Sequence, residues 1–162
     1  MKKHFLSIIV LLTLVLSAVA APKKDSSAGS FNYIKMERSL CYGTCPNYTV
    51  EIYSGGLIRY TGKRFAQPDG TYEKNFGKKK VQEIFKEMVE YNIDTCQREY
   101  QNLITDVPGI YYTFKKGMVT FNINNAHFGP AFLKTLAIDM DVFMGTPGSK
   151  GWRKTASYKQ PK

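Results

Sequence analysis

The chain is predicted to fold as an α+β domain in which two helices pack on an antiparallel sheet of about six strands. Six segments alternate apolar and polar residues, which is typical of strands with one buried face. Two other segments repeat apolar residues every three or four positions, as amphipathic helices do. Glycine-containing turns join neighbouring strands as in hairpins. The predicted order of elements is ββββ-α-ββ-α.

The first four strands are predicted within residues 33–76. They cover residues 33–40, 48–53, 57–63 and 70–76. Two glycines after Ser54 supply the positive φ angles that a tight hairpin turn needs. The apolar side chains predicted on the inner face of the first two strands are Ile34, Met36, Leu40, Tyr48, Val50 and Ile52.

The second half of the domain is predicted to be a helix, a hairpin and a second helix. The first helix carries apolar residues over 81–89 and ends at Asn92, and the hairpin pairs residues 110–115 with 118–124. The second helix starts near Pro130, because proline suits the first helical position. The apolar positions are Val81, Ile84, Phe85, Met88 and Val89, then Val119, Phe121 and Ile123, then Phe132, Leu133, Leu136, Ala137, Met140, Phe143 and Met144.

Residues 1–20 have the pattern of a secretory signal peptide. Two lysines precede an apolar run over residues 5–16, and Ala18–Ala20 form a small-x-small cleavage signal. An uncleaved membrane anchor is the alternative, but the run is short of the about 20 apolar residues that span a bilayer. We therefore expect an exported protein, periplasmic or secreted, that begins at Ala21 and meets the membrane only through its transient signal peptide.

The mature chain is predicted to hold one domain between two polar ends. Residues 21–32 are interpreted as a flexible lead-in, residues 33–145 as a single α+β domain and residues 146–162 as a basic, mostly disordered tail. Trp152 is the tail residue that could pack on the body. We expect the fold to survive removal of this tail.

The positive charge is concentrated at one end of the chain. The formal net charge is +10, and residues 146–162 carry five basic residues and no acid. A nucleic-acid-binding domain is expected to carry such charge on a folded face. The sequence therefore argues against nucleic acid as a partner and leaves contact with an acidic cell-surface polymer open.

The mature chain contains three cysteines, and an odd count leaves one thiol over. Cys41 and Cys45 are the closest pair, so we predict that they form a disulfide and that Cys96 stays reduced. The alternative is a thiol-redox or copper-binding protein that uses Cys41, Cys45 and His127, since soft thiolates and an imidazole suit copper. Both flanks of the pair are predicted strands, so no helix N-terminus is present to lower a thiol pKa.

The motif C-x-G-x-C-P-x-Y at Cys41–Tyr48 lies between two predicted strands, and Thr105-Asp106-x-Pro108 follows the first helix. Over residues 33–144 the chain resembles a family of bacterial exported domains, domain of unknown function 6438. The resemblance implies an envelope or secreted protein and no established activity. Cys96 is not part of the motif.

The sequence favours a non-catalytic envelope domain over an enzyme, with no cofactor and no metal. The expected partner is an envelope protein, a glycan or an anionic cell-surface polymer. The aromatic residues Tyr42, Tyr48, Tyr111 and Tyr112 are candidates for an exposed patch. The residues predicted to form the ligand or partner surface are Tyr42, Gly43, Pro46, Tyr48, Asp106 and Pro108.

Overall fold

The computed structural model of the protein describes residues 30–159, except Leu103 and Thr105. The predicted signal peptide and most of the predicted lead-in lie outside the described residues. Within the described part, no helix is long and apolar enough to cross a membrane.

Seven antiparallel strands form one sheet in the order β6-β5-β1-β2-β3-β4-β7. This confirms the predicted α+β class, and the seventh strand is additional to the predicted order ββββ-α-ββ-α. The strands are β1 Phe31–Arg38, β2 Tyr48–Tyr53, β3 Leu57–Gly62, β4 Gly70–Asn75, β5 Ile110–Lys116, β6 Val119–Ile123 and β7 Arg153–Ala156.

The register of the central strands places their apolar residues on one face. Ile34 of β1 lies opposite Ile52 of β2, and Met36 lies opposite Val50. All four side chains are fully buried, as their alternation predicts. Leu40 differs, because β1 ends at Arg38 and Leu40 is 39% exposed in the following loop.

Two helices cover this face of the sheet, α1 over Lys78–Glu90 and α2 over Ala131–Met144. Pro130 precedes α2 as its N-cap residue and is not its first helical residue. Val89 and Val119 were expected to point inward, but each is 57% exposed. The buried helix residues are Val81, Ile84, Phe85 and Met88 in α1, and Leu133, Leu136, Ala137, Met140 and Met144 in α2.

Neither α1 nor α2 covers the opposite face of the sheet, which we call the open face. Its centre is a network in which Arg59 donates to Glu73 at 2.8 Å and to the Tyr53 hydroxyl at 3.1 Å. Glu51 lies 3.6 Å from the same guanidinium. Exposed ion pairs add little stability. Here, however, the Arg59 guanidinium links polar side chains of three neighbouring strands, β2, β3 and β4.

Part of the tail that was predicted to be disordered forms a strand. The prediction of disorder is therefore wrong for Arg153–Ala156. These residues form β7 and pair with β4, with Ala156 opposite Thr71. Trp152 packs edge-on against Phe76, with ring centroids 6.0 Å apart. All four β7 residues are exposed, so the strand forms through backbone pairing and has no apolar alternation. At the other end, Phe31 and Asn32 of the predicted lead-in belong to β1.

Glu87 is an unfavourable acid on the buried side of the helix pair. Burial raises its pKa above the ordinary value, and repulsion from Asp139 of α2 and from two acids of α1 adds to this. Its Oε2 atom is buried and has no hydrogen-bond partner among the described residues. Folding raises the pKa of Glu87, so the protonated carboxyl is better tolerated in the folded state than the charged one. Its favourable contribution to stability is therefore complete below the pKa of the unfolded chain and is lost as pH rises through the folded pKa.

We therefore expect Glu87→Gln to raise the melting temperature at pH 7 by about 1–2 °C. The gain should vanish near about pH 3, where the carboxyl is almost fully protonated in both states. Thermal unfolding at both pH values measures this. Glu99→Gln, at an exposed position, is the control and should show no such difference. A gain for Glu87→Gln that is the same at both pH values would contradict the explanation.

Candidate functional site

The loop between β1 and β2 is closed by a disulfide between Cys41 and Cys45, whose Cα atoms are 5.5 Å apart. The predicted pairing is confirmed, and Cys96 is a free thiol. We call residues 41–45 the disulfide loop. Inside it, the Gly43 backbone N–H donates to Cys41 Sγ at 3.3 Å. The bond closes a short loop within the connection between β1 and β2.

The tip of the disulfide loop points into solvent. Tyr42 is 93% exposed, and Gly43 and Pro46 are exposed as well. The two cysteines are half-buried. The loop therefore presents a large aromatic side chain on a backbone that is fixed by a covalent bond.

Three side chains below the loop, which we call the anchor cluster, join the sheet to α2. They are Arg38, Tyr48 and Asp141. Arg38 donates to Asp141 Oδ2 through Nη2 at 2.7 Å and through Nε at 3.1 Å. The Tyr48 hydroxyl donates to Asp141 Oδ1 at 2.9 Å. Since Arg38 and Tyr48 are paired residues of β1 and β2, the cluster fixes both ends of the loop against α2.

Two members of the anchor cluster, Arg38 and Tyr48, have raised pKa values. Burial and the Asp141 carboxylate raise the pKa of Tyr48 far above its ordinary value. Burial alone would lower the pKa of Arg38, but Asp141 and Tyr48 outweigh it, so the net shift is upward. Both groups therefore stay protonated at physiological pH, which suits a structural role better than proton transfer.

Asn47 ties the exit of the disulfide loop to the loop between β3 and β4. Its side-chain amide donates to the Arg38 carbonyl at 2.6 Å. Its backbone N–H donates to the Arg64 carbonyl at 3.0 Å, and its carbonyl accepts from Lys63 N–H at 2.9 Å. Phe65, which follows Arg64 in the loop between β3 and β4, is 45% exposed and has a φ of 62°. Sequence reasoning missed Phe65, because no pattern predicts positive φ for a phenylalanine.

The segment containing Asp106 and Pro108 lies beside the stem of the disulfide loop. Ser39 N–H donates to the Gly109 carbonyl at 3.0 Å, and Gly109 N–H donates to Ser39 Oγ at 2.8 Å. Asp106 is exposed and Pro108 is half-buried. The candidate surface residues from both motifs therefore lie at the same end of the sheet.

The four tyrosines of the predicted patch do not share one surface. Tyr42 is exposed, Tyr48 and Tyr111 are half-buried, and Tyr112 is only 1% exposed. The Tyr112 hydroxyl donates to the Leu133 carbonyl at 2.7 Å. The prediction of an exposed patch is therefore wrong for Tyr112, which belongs to the core. Tyr42 is the most exposed of the four tyrosines.

His127 lies in a short 3-10 helix, Ala126–Phe128, that follows β6. Burial lowers its pKa, and the nearby charges of Lys134 and Arg38 lower it further. The described residues contain no group of three or more histidine, cysteine or acidic side chains placed to hold a metal ion. The structure thus does not bring Cys41, Cys45 and His127 together as a ligand set, and the disulfide occupies both sulfurs.

Removing the disulfide should destabilise the fold without abolishing it. We expect the double variant Cys41→Ser/Cys45→Ser to lose about 2 kcal/mol of unfolding free energy, the chain-entropy value for so short a loop. Urea denaturation measures this. Reductant should weaken the wild type by a similar amount and leave the double variant unchanged. If reductant weakened both proteins equally, the loss would not come from this bond.

The fold and the site define a class of protein: a single α+β domain with one helix-covered sheet face and a disulfide-closed loop at the end of the sheet. The model of the family described as "Domain of unknown function (DUF6438)" matches residues 32–142, so the chain belongs to this family. The match includes the disulfide loop and all three residues of the anchor cluster. No curated protein matches the chain.

Proposed function

We propose that the protein is an exported, non-catalytic binding domain of the bacterial envelope that holds its ligand at the disulfide loop. The observation that carries the proposal is Tyr42, 93% exposed on a loop closed by the Cys41–Cys45 bond. An aromatic side chain on a constrained backbone offers a large contact area, and the loop loses little conformational freedom on binding.

Neighbouring apolar side chains support the same surface. Leu40 is 39% exposed at the entrance to the disulfide loop, and Phe65 is 45% exposed on the loop that Asn47 holds against it. Single exposed apolar residues are ordinary, but in the proposal Leu40, Tyr42 and Phe65, on two hydrogen-bonded loops, act together as one apolar contact surface. The Arg64 guanidinium lies 4.8 Å from the Phe65 ring centre and adds a positive charge there.

The polar groups under the loop support binding over catalysis. Asp141 accepts hydrogen bonds from both Arg38 and Tyr48, so its oxygens are engaged. A general acid or base needs a proton that can be exchanged near the operating pH, and the raised pKa values of Arg38 and Tyr48 make these two groups unsuited to that role. The role of the anchor cluster in the proposal is to hold the loop in place.

Export is inferred from the leader over residues 1–20 and from the disulfide, since such bonds persist mainly outside the cytoplasm. The proposed ligand is an envelope protein, a glycan or an anionic cell-wall polymer. Thiol exchange at Cys41 is the second candidate function. It is favoured by the Gly43 N–H that faces Cys41 Sγ, because a hydrogen-bond donor would stabilise the thiolate after reduction.

Retention on envelope material tests the proposal. Purified mature protein is mixed with isolated cell-wall sacculi and, separately, immobilised to capture solubilised envelope components. We expect one fraction to be retained, and Tyr42→Ala to weaken retention by about tenfold, as for an aromatic hot spot. Met118→Ala is the matched control, because Met118 is fully exposed on the β5–β6 turn at the opposite end of the sheet. Retention of no fraction, or unchanged retention by Tyr42→Ala, contradicts the proposal.

A further inference from the structure

A polar groove runs along the open face between β1, β5 and β6. Its volume is about 420 Å³, within the range of about 300–1,000 Å³ that is usual for small-ligand sites. The residues of this open-face groove that matter here are Lys35, Glu37, Tyr111, Asn122 and Asn124.

Tyr111 gives the groove an aromatic wall in a fixed position. Its ring lies over Gly109, where a Cβ atom would come within 2.6 Å of Tyr111 Cε2. A larger residue than glycine would push the ring away. The Tyr111 hydroxyl has no hydrogen-bond partner within the described part of the chain, so it is free to bind a ligand.

The polar side chains of the groove have unused hydrogen-bonding capacity. Thr113 Oγ1 donates to Asn122 Oδ1 at 2.9 Å, which orients the amide and leaves its N–H groups free. Glu37 binds Lys63 through Oε1 and leaves its other oxygen open. The side chains of Lys35 and Asn124 make no hydrogen bond to any described residue. By contrast, the Arg59 network in the middle of the same face is internally satisfied.

We propose that the open-face groove binds an acidic saccharide. Sugar hydroxyls both donate and accept, which matches amide and carboxylate side chains, and the C–H face of a sugar ring packs against an aromatic ring. The unpaired Lys35 ammonium favours a sugar that carries a carboxylate. The inference rests on the proposed function, because it names a glycan as the envelope ligand, but it assigns binding to different residues.

The test is calorimetric titration of the mature protein with a peptide-free tetrasaccharide of alternating N-acetylglucosamine and N-acetylmuramic acid. We expect saturable binding that Tyr111→Ala weakens by about tenfold and Asn122→Ala by about threefold, as for loss of an aromatic and of a hydrogen-bonding contact. Thr120→Ala is the control: it lies on the same strand and outside the groove, and it should keep the wild-type affinity. The neutral N-acetylglucosamine tetramer should bind about tenfold more weakly, since it lacks the charge that pairs with Lys35.

Absence of saturable binding, or equal affinity in the wild type and both groove variants, overturns the proposal. Equal affinity for the acidic and neutral tetrasaccharides overturns the role of Lys35. Circular dichroism confirms that each variant is folded. Tyr42→Ala separates the two proposals: if it abolishes envelope retention while no tetrasaccharide binds, the disulfide-loop function stands and the saccharide groove does not.

Discussion

Replacing Asp141 with alanine is expected to lower the free energy of unfolding by about 2–3 kcal/mol. The substitution leaves the Arg38 guanidinium and the Tyr48 hydroxyl without their acceptor. The side chains of Arg38 and Asp141 are only 19% and 27% exposed, so water replaces the lost bonds poorly. The expected loss is smaller than for a fully buried pair and larger than for a surface pair.

Urea denaturation of the purified variant measures the loss. Asp139→Ala, on the same helix, is the matched control. Asp139 makes no ion pair in the described part of the chain and repels Glu87, so its removal should be neutral or slightly stabilising. If Asp141→Ala were as stable as the wild type, the anchor cluster would not be what holds the loop ends to α2.

Ending the chain at Gly145 is expected to lower the unfolding free energy by about 3 kcal/mol, from lost Trp152 burial and lost β7 pairing. This reverses the expectation that the tail is dispensable. Trp152 packs on Phe76, which in turn stacks on Phe143 of α2. Without β7, the edge of β4 is left unpaired.

Two single variants of the full-length chain separate these contributions. Trp152→Ala should cost about 2 kcal/mol, since Trp152 is a partly buried aromatic residue. Arg153→Ala should stay within about 0.5 kcal/mol, as surface substitutions do, because the Arg153 side chain is 79% exposed. Unchanged stability of the truncated protein in urea would show that the tail packs without contributing to the fold.

The central strands and both helices could be predicted because each is long enough for its apolar residues to recur at the spacing of a strand or of a helix. Ile34, Met36, Val50 and Ile52 alternate, and all are buried. The prediction of buried residues failed where a residue at an inward position of the apolar alternation is nevertheless exposed. Val119 has the right spacing but is the first residue of β6, next to the exposed turn that joins it to β5, and it is 57% exposed.

Contacts between distant segments could not be read from the sequence. Arg38 and Asp141 are 103 residues apart, and neither position carries a local signal for the other. The strand β7 depends on an unpaired edge of β4, which exists only after the sheet has formed. The exposed Phe65 follows Lys63 and Arg64, whose backbone groups bond to Asn47, and neither this contact nor the positive φ of Phe65 has a sequence signal.

The disulfide bond of the candidate site was predictable from the sequence. The spacing of Cys41 and Cys45, together with the export signal, indicated the disulfide. The inward direction of Tyr48 was predictable from the alternation of β2, but the sequence did not say which of Tyr111 and Tyr112 faces the helices. Tyr48 faces Asp141 beneath α2, whereas Tyr111 faces the open side and lines the groove.

In the proposed function, the disulfide loop holds Tyr42 on a constrained backbone, where it anchors an envelope ligand. The most direct test compares the oxidised protein with Cys41→Ser/Cys45→Ser in the same envelope-retention assay, at a temperature where both are folded. We expect the double variant to bind about tenfold more weakly, because a loop without its disulfide must become ordered on binding. Equal retention of the two folded proteins would contradict the claim.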